Sequence, residues 1–548
     1  MRFSILISFF CIFLFSWHLL VLQGCSNQEE KNTEQQSSVS AIEPVKGGIY
    51  YVPLSKTPIT LDPVYTKDIY GIALVHQIFD SLVQFDSHLS IRPAIAEKWE
   101  IKEEGKLYKF ILRKNALFHN MESVTSQDVV FSIKRLLRTK PAPVVLPHLL
   151  KIKGAQEYRQ GVLENVDGLK IENDKTINIR LEKPHIPFLT ALGMYQAAIV
   201  PKNEVLRLKD DFGKHPVGSG PFKLVSWDDR SVRLDRFKEY YDGSAHLDGI
   251  HYRLYQKGVE PGMSSDFQNS NLEEMAVFGD IKEKLADKKG LQWFHRPSLS
   301  LFFYGMNVNH RNLTDPNLRK ALSMAVNRQE FVDQVYSGQF DIAKTVLPPG
   351  MPGYHISNQI RDNSQDLARQ YLEKAFGKTL ENLPVLEIVS GHKTPRVVKE
   401  MSMMKQYWAN IGLTVEPKYI TDWNKFEDYI KSDAVQMYRY VWFADIPDPD
   451  NFLYPLFASE SSSNYVRLKN KNIDEMLSKA RSIVEPIERA KFYGIVEAEI
   501  LEKTPLIPLF HMSIDRVYQP YVRSMEVNAL GVHNMQLNKV WLDKSGSN

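Results

Sequence analysis

The sequence predicts an α/β protein in which sheets form the centre of each domain. Strand and helix patterns alternate between residues 365 and 420, an order that is typical of α/β folds. The chain has 548 residues, which at about 100–200 residues per domain corresponds to roughly two to four domains. Its hydrophobic fraction of 43% and charged fraction of 24% are those of globular proteins.

Local signals define individual elements. Alternating side-chain character predicts strands over 107–113 and 177–181, and a hairpin of strands over 222–227 and 232–237. Thr125-x-x-Asp128 and Asp315-Pro316 each precede an apolar stripe, which is typical of a helix start. In the second half we expect helices over 365–376, 396–410, 473–484 and 487–501, and strands over 385–389, 413–420 and 506–510.

The charge of the chain is almost balanced. Lys and Arg number 68 against 65 Asp and Glu, which gives a net charge of +3. Binding to nucleic acid depends on a marked excess of positive charge. The totals therefore give no support to a nucleic-acid partner, and the composition excludes a disordered or multi-span membrane protein.

The N-terminal segment indicates export. An apolar run over 3–22 ends in Leu22-Gln23-Gly24-Cys25. A run of about 20 residues is long enough to span a bilayer, whereas a signal peptide usually has a shorter apolar core. The ending, however, resembles the lipobox of bacterial lipoproteins, which are cleaved before a cysteine that then carries lipid. We expect 1–24 to be a lipoprotein signal peptide and Cys25 the lipidated residue; an uncleaved anchor is the alternative, and either implies export.

Residues 25–45 are polar and have almost no large apolar side chain, so we expect a flexible tether. The chain has only two cysteines, Cys11 and Cys25. The first would leave with the signal peptide and the second would carry lipid. Thiol nucleophiles, Cys-ligated zinc and iron–sulfur clusters are therefore excluded.

Signatures of common enzyme classes are absent from the sequence. It contains neither G-x-x-x-x-G-K-[ST], nor H-E-x-x-H, nor G-x-S-x-G. Gly218-Ser219-Gly220-Pro221 is glycine-rich, but no Lys-Ser or Lys-Thr follows, so we predict a tight turn before a strand. The 15 His residues, such as His246 and His251, lack metal-ligand spacing. We therefore expect no enzyme, no metal and no cofactor.

An acidic segment over 442–452 follows the apolar run 437–444. A calcium loop counted from Asp445 would need Gly and Glu where the chain has Asp450 and Leu456, and a catalytic carboxylate pair lacks a partner group. A solvated Asp/Pro turn is the simplest alternative. Yet a carboxylate at the end of a buried strand lies where α/β domains bind ligands, and a buried Asp needs a positive partner, such as a ligand ammonium group.

Several further segments match one family in its own order. They are TLDP at 60–63, IFDSLV at 78–83, IAEKWE at 95–100, YKFILR at 108–113, DVVFSIKR at 128–135, PVGSGPF at 216–222 and RKALSMAVNR at 319–328. With the acidic segment, they make the chain resemble the family 5 extracellular solute-binding proteins, which include the peptide-binding proteins of ABC importers. The resemblance covers essentially everything after the tether.

The resemblance implies an α/β fold of the type II periplasmic-binding-protein kind, with two lobes, a hinge and an inserted third domain (the cluster C arrangement). The implied domain I is discontinuous, domain II is inserted into it, and domain III is the second lobe. Their expected ranges are 46–82, 215–298 and 509–548 for domain I, 83–214 for domain II, and 299–508 for domain III. The family's crossover between lobes is expected near 266–284, which lacks the small, glycine-bearing pattern expected there.

The resemblance also implies site residues. Asp445 would pair with the α-amino group of a peptide, Arg439 would serve its C-terminal end, and the residues Val441, Trp442 and Phe443 would pair with its backbone. Two structural alternatives stand beside these roles. Arg439 is expected to pair with Asp433 or Asp428 if it is only an exposed arginine, and Trp442 is as well suited to a core as to a pocket.

The implied function is a lipid-anchored substrate-binding protein that captures short peptides and delivers them to an ABC permease and ATPase complex. We expect a monomer, exported and facing the periplasm or cell exterior. Family 5 also includes binders of nickel complexes and oligosaccharides, and a fold alone does not select the ligand. A nickel ligand would favour a pocket histidine, and His511 is the candidate. A peptide sensor without a transport role is a further alternative.

Overall fold

The computed structural model describes residues 43–255, 260–277, 280–355, 360 and 363–545. Pro44–Asn548 form one compact unit. The predicted signal peptide, Cys25 and nearly all of the predicted tether lie outside the described residues. Within the described ranges, no helix is both long enough and apolar enough to cross a membrane.

The first part of the chain, up to residue 255, is rich in strands. The strands are β1 (Ile49–Leu54), β2 (Val83–Phe85), β3 (Ile91–Pro93), β4 (Ala96–Lys102), β5 (Leu107–Leu112), β6 (Leu169–Asn173), β7 (Thr176–Arg180), β8 (Phe222–Trp227), β9 (Ser231–Arg236) and β10 (Gly249–Leu254). The helices are α1 (Ile69–Ile78), α2 (Ser126–Arg138), α3 (Leu146–Leu149), α4 (Ala155–Gln160), α5 (Pro187–Ala191) and α6 (Lys202–Leu208).

The remaining part alternates strands with longer helices. The strands are β11 (Glu274–Ala276), β12 (Gln292–Pro297), β13 (Ser300–Met306), β14 (Asp341–Ile342), β15 (Leu386–Ser390), β16 (Val415–Tyr419), β17 (Met437–Phe443), β18 (Leu506–His511), β19 (Ser513–Tyr518), β20 (Val522–Arg523) and β21 (Trp541–Leu542). The helices are α7 (Glu260–Gln268), α8 (Ile281–Lys284), α9 (Pro316–Met324), α10 (Arg328–Tyr336), α11 (Gln365–Phe376), α12 (Pro395–Ala409), α13 (Trp423–Ile430), α14 (Asp450–Phe457), α15 (Lys471–Ala480) and α16 (Pro486–Lys503).

Local capping explains many of these boundaries. Thr125 and Asp128 form a reciprocal capping box at the start of α2. The helix predicted over 473–484 ends earlier, at Ala480. The residues between it and α16 are needed for a turn, because Glu485 caps α16 with its side chain and Pro486 occupies the first helical position.

The predicted turn before β8 is confirmed, and its glycines serve close packing. A Cβ atom on Gly218 would lie 1.9 Å from the carbonyl oxygen of Ile78, and one on Gly220 would lie 2.5 Å from that of Gln77. Only glycine allows the backbone to approach the end of α1 this closely. The turn therefore fixes the sheet of β8 against α1.

Two four-stranded sheets and the small sheet β2-β3 are built from the first part of the chain. β1 pairs in parallel with β10, and the order β1-β10-β9-β8 joins residues that are about 200 positions apart. The second sheet, in the order β4-β5-β7-β6, lies entirely between residues 96 and 180. Its core includes the fully buried Tyr108, Phe110 and Phe188. This sheet and its helices form the strand-rich insert.

The third large sheet has six strands in the order β14-β18-β13-β17-β15-β16. Every residue of β13 at its centre is buried. Helices cover both faces, so that separate apolar cores lie on the two sides of the sheet. β17 lies between β13 and β15 and carries the residues of the candidate site.

The crossovers between lobes lie away from the predicted region 266–284. β12 and β19 are paired on the side of the first lobe, and the same two chain segments continue as β13 and β18 in the six-stranded sheet. Segment 266–284 instead contributes to a small separate core around Phe267 and Leu272. The connection from β12 to β13 falls at the boundary expected between residues 298 and 299, and it contains no glycine.

A histidine bridges the two sides at these crossovers. His295 on β12 contacts Asp515 on β19 at 2.6 Å and Asp341 on β14 at 3.1 Å. Burial alone would lower the pKa of His295, but the hydrogen bond and charge of Asp515, together with Asp341, outweigh this effect and raise the pKa. These contacts of His295 connect the edge of the six-stranded sheet to β12 and β19.

We propose the expected domain ranges with one adjustment. β18 lies wholly in the six-stranded sheet and continues to His511. The boundary expected after residue 508 would cut this strand. We therefore place the end of domain III after His511 and the return to domain I at Ser513.

Candidate functional site

The site is built on the edge of β17. This strand pairs along its whole length with β13, whereas its pairing with β15 is confined to Met437 and Tyr438. Beyond Tyr438, the side of β17 that faces away from β13 has no strand partner among the described residues. An open edge of this kind presents backbone donors and acceptors that an added strand can satisfy.

The backbone register shows which groups face this open edge. The N–H of Ala444 donates to the carbonyl of Leu299 at 2.8 Å, which marks one hydrogen-bonded pair of the antiparallel ladder. Because such pairs alternate with a period of two residues, the backbone of Trp442 is directed towards β13. The N–H and C=O groups of Val441 and Phe443 point to the opposite side, where the edge is open.

Asp445 follows the strand directly. Its backbone N–H donates to Oδ1 of Asn451 at 2.8 Å, which fixes the turn after β17. Desolvation by the surrounding protein raises the pKa of the Asp445 carboxyl, and a hydrogen bond with the side chain of Asn451 only partly opposes this shift. The Asp445 side chain is nevertheless exposed to solvent, so the expectation of a buried carboxylate is wrong and the group is accessible to a ligand.

The other two carboxylates of the segment are already neutralised. Asp448 accepts hydrogen bonds from both terminal nitrogens of Arg489, at 2.7 and 2.9 Å. Asp450 pairs in the same bidentate way with Arg481, at 2.6 and 2.9 Å, and also accepts from the hydroxyl of Tyr493. This pairing is incompatible with a calcium loop. Across the part of the chain that the structure describes, Asp445 has no such cationic partner.

The first lobe and the insert contribute groups that interact electrostatically with Asp445. Tyr195, in the 3-10 helix Tyr195–Ala197, donates its hydroxyl hydrogen bond to the carbonyl of Thr66 at 3.1 Å. Burial, followed by the charges of Asp445 and Asp68, raises the pKa of Tyr195 to about 12. Asp68 caps α1. Thus one residue from each of the three regions contributes to the same electrostatic site.

The insert is held against this site by an apolar contact. Ile446, next to Asp445, is fully buried in the core of the insert. The hydroxyl of Thr190 in α5 also approaches Asp448 at 3.4 Å. Buried contacts directly after Asp445 in the chain therefore hold this segment against the insert.

Arg439 does not pair as either alternative predicted. Its guanidinium binds Glu400 on α12 through Nε at 2.7 Å and through a terminal nitrogen at 3.2 Å. Asp433 pairs with Arg467 instead. The Arg439 guanidinium also lies 4.4 Å from the ring centre of Phe302. Glu400 is fully buried, so the charge of Arg439 is compensated inside the protein.

The remaining predicted residues differ in exposure. Trp442 is half-buried against the core on one face of the sheet, and its Nε1–H donates to the carbonyl of Asn451 at 2.7 Å. Phe443 is 52% exposed. Val441 is half-buried on the opposite face of the sheet from Trp442. The structure therefore brings Val441, Phe443 and Asp445 to the open edge and uses Trp442 mainly for packing.

His511 is a buried structural residue. Its Nδ1 lies 2.6 Å from the carbonyl oxygen of Ser300, and burial lowers its pKa to about 4. Among the residues that the structure describes, no three His, Cys, Asp or Glu side chains are placed to hold a metal ion. The geometry at His511 is that of a histidine packed at a crossover.

Comparison with known proteins identifies the family. The family model described as "Bacterial extracellular solute-binding proteins, family 5 Middle" matches residues 90–464. The chain belongs to family 5 of the bacterial extracellular solute-binding proteins. Both the predicted family and the predicted two-lobe, type II α/β fold are confirmed.

Curated relatives of this family 5 protein carry different ligand names. The dipeptide-binding protein of Escherichia coli (strain K12) is 27% identical over 490 residues, which cover 84% of this chain and 88% of the relative. Heme-binding protein A of Haemophilus influenzae is also 27% identical, over 518 residues, 90% of this chain and 92% of the relative. The dipeptide-binding protein DppE of Bacillus subtilis (strain 168) is 25% identical over 544 residues, 96% of each chain.

Solved structures share the fold of this family 5 protein. The unliganded open form of the periplasmic murein tripeptide binding protein MppA has a TM-score of 0.81 at 21% identity, covering 91% of this chain and 98% of that one. DppA from Helicobacter pylori, in complex with the peptide STSA, has a TM-score of 0.69 at 23% identity, covering 91% and 99%.

Several residues of the site carried no signal in the sequence. Asp68 and Tyr195 lie at a helix start and in a short 3-10 helix, and only the fold brings them together, whereas Asn451 belongs to the acidic segment itself. Glu400 occupies the middle of an amphipathic helix, where a buried acid is unexpected. Asp68 precedes a helical pattern and could have been recognised as a helix cap.

Proposed function

We propose that this protein is the substrate-binding component of an ABC import system and that it captures short peptides between its two lobes. The observation that carries the proposal is the state of the three carboxylates in one segment. Arginines neutralise Asp448 and Asp450, whereas Asp445 is exposed beside the open edge of β17 and has no ion-pair partner among the described residues. A ligand ammonium group supplies the missing charge.

In this proposal the peptide lies as an added strand along the open edge of β17. Its amides and carbonyls bond to the backbone of Val441 and Phe443, which gives affinity without selecting side chains. Its α-ammonium group reaches Asp445 at the end of the strand. Closure of the lobes then excludes water from this contact, and an ion pair in a less polar medium is stronger than one at a surface.

Arg439 and Trp442 have positioning roles in this scheme. Because Glu400 already compensates Arg439, we propose that the guanidinium fixes the strand against α12 rather than binding the peptide carboxylate alone. Trp442 packs beneath the edge and holds Asn451 through its indole N–H. Asn451 in turn holds the backbone of Asp445.

We also propose export and attachment to the membrane by lipid on Cys25. The family consists of extracellular proteins, which supports export, and the lipobox-like sequence supports the lipid. The tether over 25–45 would hold a monomeric body near its permease and ATPase complex, facing the periplasm or cell exterior.

The ligand is tested by mass spectrometry of small molecules released on denaturation. The protein from Pro44 onwards, which forms the compact unit, is purified beside the variants Asp445→Asn and Asp287→Asn; the second replaces an exposed carboxylate far from β17 in sequence. We expect peptides with free amino termini from the parent protein and from Asp287→Asn, and much less from Asp445→Asn. Heme, a nickel complex or an oligosaccharide as the main ligand would overturn the peptide assignment, as would equal peptide recovery from all three proteins.

A further inference from the structure

A groove outside the candidate site gathers positive charge. It has a volume of about 1150 Å³ and lies along α2 and α6, with the turn over 60–65 at one end. Neither Asp445, Asp68 nor Tyr195 lines it. The groove therefore has no part in the proposed peptide site.

The charge of the groove exceeds that of the whole chain. Six cationic side chains line it, namely Lys134, Arg135, Arg138, Lys140, Lys202 and Lys209. Only two acids line it, Asp62 and Asp210, so the groove carries four excess positive charges against a net charge of +3 for all 548 residues. A concave surface lined by one sign of charge focuses its electrostatic potential outwards.

Internal side-chain contacts engage three of these cations, and only one of the three, Arg135, pairs with an acid in the part of the chain that the structure describes. Arg135 pairs with Asp62. Lys134 donates to Asn165, and the guanidinium of Arg138 lies 4.1 Å from the ring centre of Tyr158.

The other three cations, Lys140, Lys202 and Lys209, are exposed. They take part in no ion pair with any residue in the described ranges. Because like charges gathered in one groove repel one another, an acidic partner would relieve a cost that the folded chain otherwise carries.

The floor of the same groove is apolar. Val130 and Phe131 on α2 are half-buried there, and Leu206 on α6 is 55% exposed. Ile171 in the middle of β6 is also exposed. Exposed apolar side chains surrounded by lysines favour one kind of partner. Such a partner buries the apolar side chains and also pairs acidic groups with the lysines.

We propose that this groove binds an acidic amphipathic segment of a partner protein. A flat bilayer surface does not follow a concave groove, and a purely ionic polymer leaves the floor of Val130, Phe131 and Leu206 exposed. A helix with one apolar and one acidic face satisfies both features, as amphipathic helices do in hydrophobic grooves. The lysines at the rim then set the orientation and rate of association.

Binding is measured by fluorescence anisotropy with the compact unit that begins at Pro44. The probe is a labelled synthetic peptide with Leu on one helical face and Glu on the other. A peptide of the same composition in scrambled order, inorganic polyphosphate and phosphatidylglycerol vesicles are compared with it. The test variant combines Lys140→Glu, Lys202→Glu and Lys209→Glu, and its control combines Lys114→Glu, Lys289→Glu and Lys378→Glu, which reverse three exposed lysines elsewhere.

We expect the amphipathic peptide to bind, the scrambled peptide to bind at least roughly tenfold more weakly, and the affinity to fall with salt. The groove variant weakens binding by at least about tenfold and the control variant does not. Leu206→Ala weakens binding by at least about threefold without any change of charge. Equal binding of the scrambled peptide or polyphosphate, binding of the vesicles alone, or equal effects of the two triple variants would each overturn the proposal.

Discussion

The buried pair Asp448–Arg489 should be essential for the shape of the segment that carries Asp445. Both side chains are buried, and two hydrogen bonds join them at 2.7 and 2.9 Å. Arg489→Met removes the charge and keeps much of the volume. The carboxylate of Asp448 would then remain buried, with Thr190 and the backbone N–H of Asp450 as its hydrogen-bond donors.

Removing one partner of a buried ion pair costs about 3–5 kcal/mol, because the other charge is left without compensation. The hydrogen bond from Asp450 at 2.9 Å places the expected cost near the lower end, at about 3 kcal/mol. A difference of this size corresponds to about a hundredfold change in an equilibrium constant. The double variant Asp448→Asn/Arg489→Met leaves no buried charge in this pair. It should therefore lose less stability than Arg489→Met.

Native-state hydrogen exchange read by mass spectrometry measures this effect locally. Peptides that cover 445–453 should exchange about a hundredfold faster in Arg489→Met, and less than that in the double variant. Lys491→Met removes an exposed cation from the same helix and should leave the exchange unchanged. The reasoning is refuted if exchange in Arg489→Met matches the parent protein, or if the double variant exchanges fastest.

Three further predictions concern processing, closure and pH. Cys25→Ser should abolish cleavage before residue 25 and palmitate labelling of the precursor; unchanged labelling in cells would sink the lipoprotein assignment. Bound peptide should reduce the radius of gyration in small-angle scattering without changing the circular dichroism spectrum, because the lobes rotate as rigid bodies about the strand crossovers; identical scattering curves would argue against closure. Burial lowers the pKa of His119 and of His511 to about 4, so the unfolded chain takes up protons near pH 6.5 while the folded chain does not. The free energy of unfolding should therefore fall as the pH drops from 6.5 to 4, by roughly 3 kcal/mol per histidine. His511→Gln should make this fall with pH smaller. If urea unfolding shows the same pH dependence in His511→Gln and in the parent protein, the prediction is contradicted.

The sequence predicts those parts of the fold that depend on neighbours along the chain. The capping box at Thr125 and the hairpin around Asp228-Asp229-Arg230 are confirmed, since each is specified within a few residues. α11 has its predicted bounds for the same reason, as Ser364 caps it and Gly377 follows it with a positive φ of 82°.

The parts that sequence patterns miss depend on contacts between distant residues. Arg439 and Glu400 are 39 positions apart, and Asp448 and Arg489 are 41 apart. No local pattern indicates which arginine reaches which carboxylate. The strand crossovers contain no glycine, so the small-residue pattern expected of a crossover does not locate them.

The open edge of β17 was equally beyond prediction. The edge is open because β15 pairs with only Met437 and Tyr438 of β17. The length of β17 in the sequence does not indicate how many of its residues pair with the neighbouring strand. The sequence suggested Asp445 as the candidate ligand group, but its isolation from cations follows only from the positions of Arg481 and Arg489.

The central claim is that Asp445 receives the ammonium group of a bound peptide, and one calorimetric cycle tests it most directly. A peptide recovered from the purified protein is titrated in free and N-acetylated form into the parent protein and into Asp445→Asn. Loss of one partner of a shielded charge pair costs about 2–5 kcal/mol, so Asp445→Asn should weaken the free peptide by roughly 30-fold or more. Acetylation should weaken binding to the parent by a similar factor and have little effect on Asp445→Asn, because both changes remove the same contact. Additive losses, or no loss from either change, would contradict the assignment.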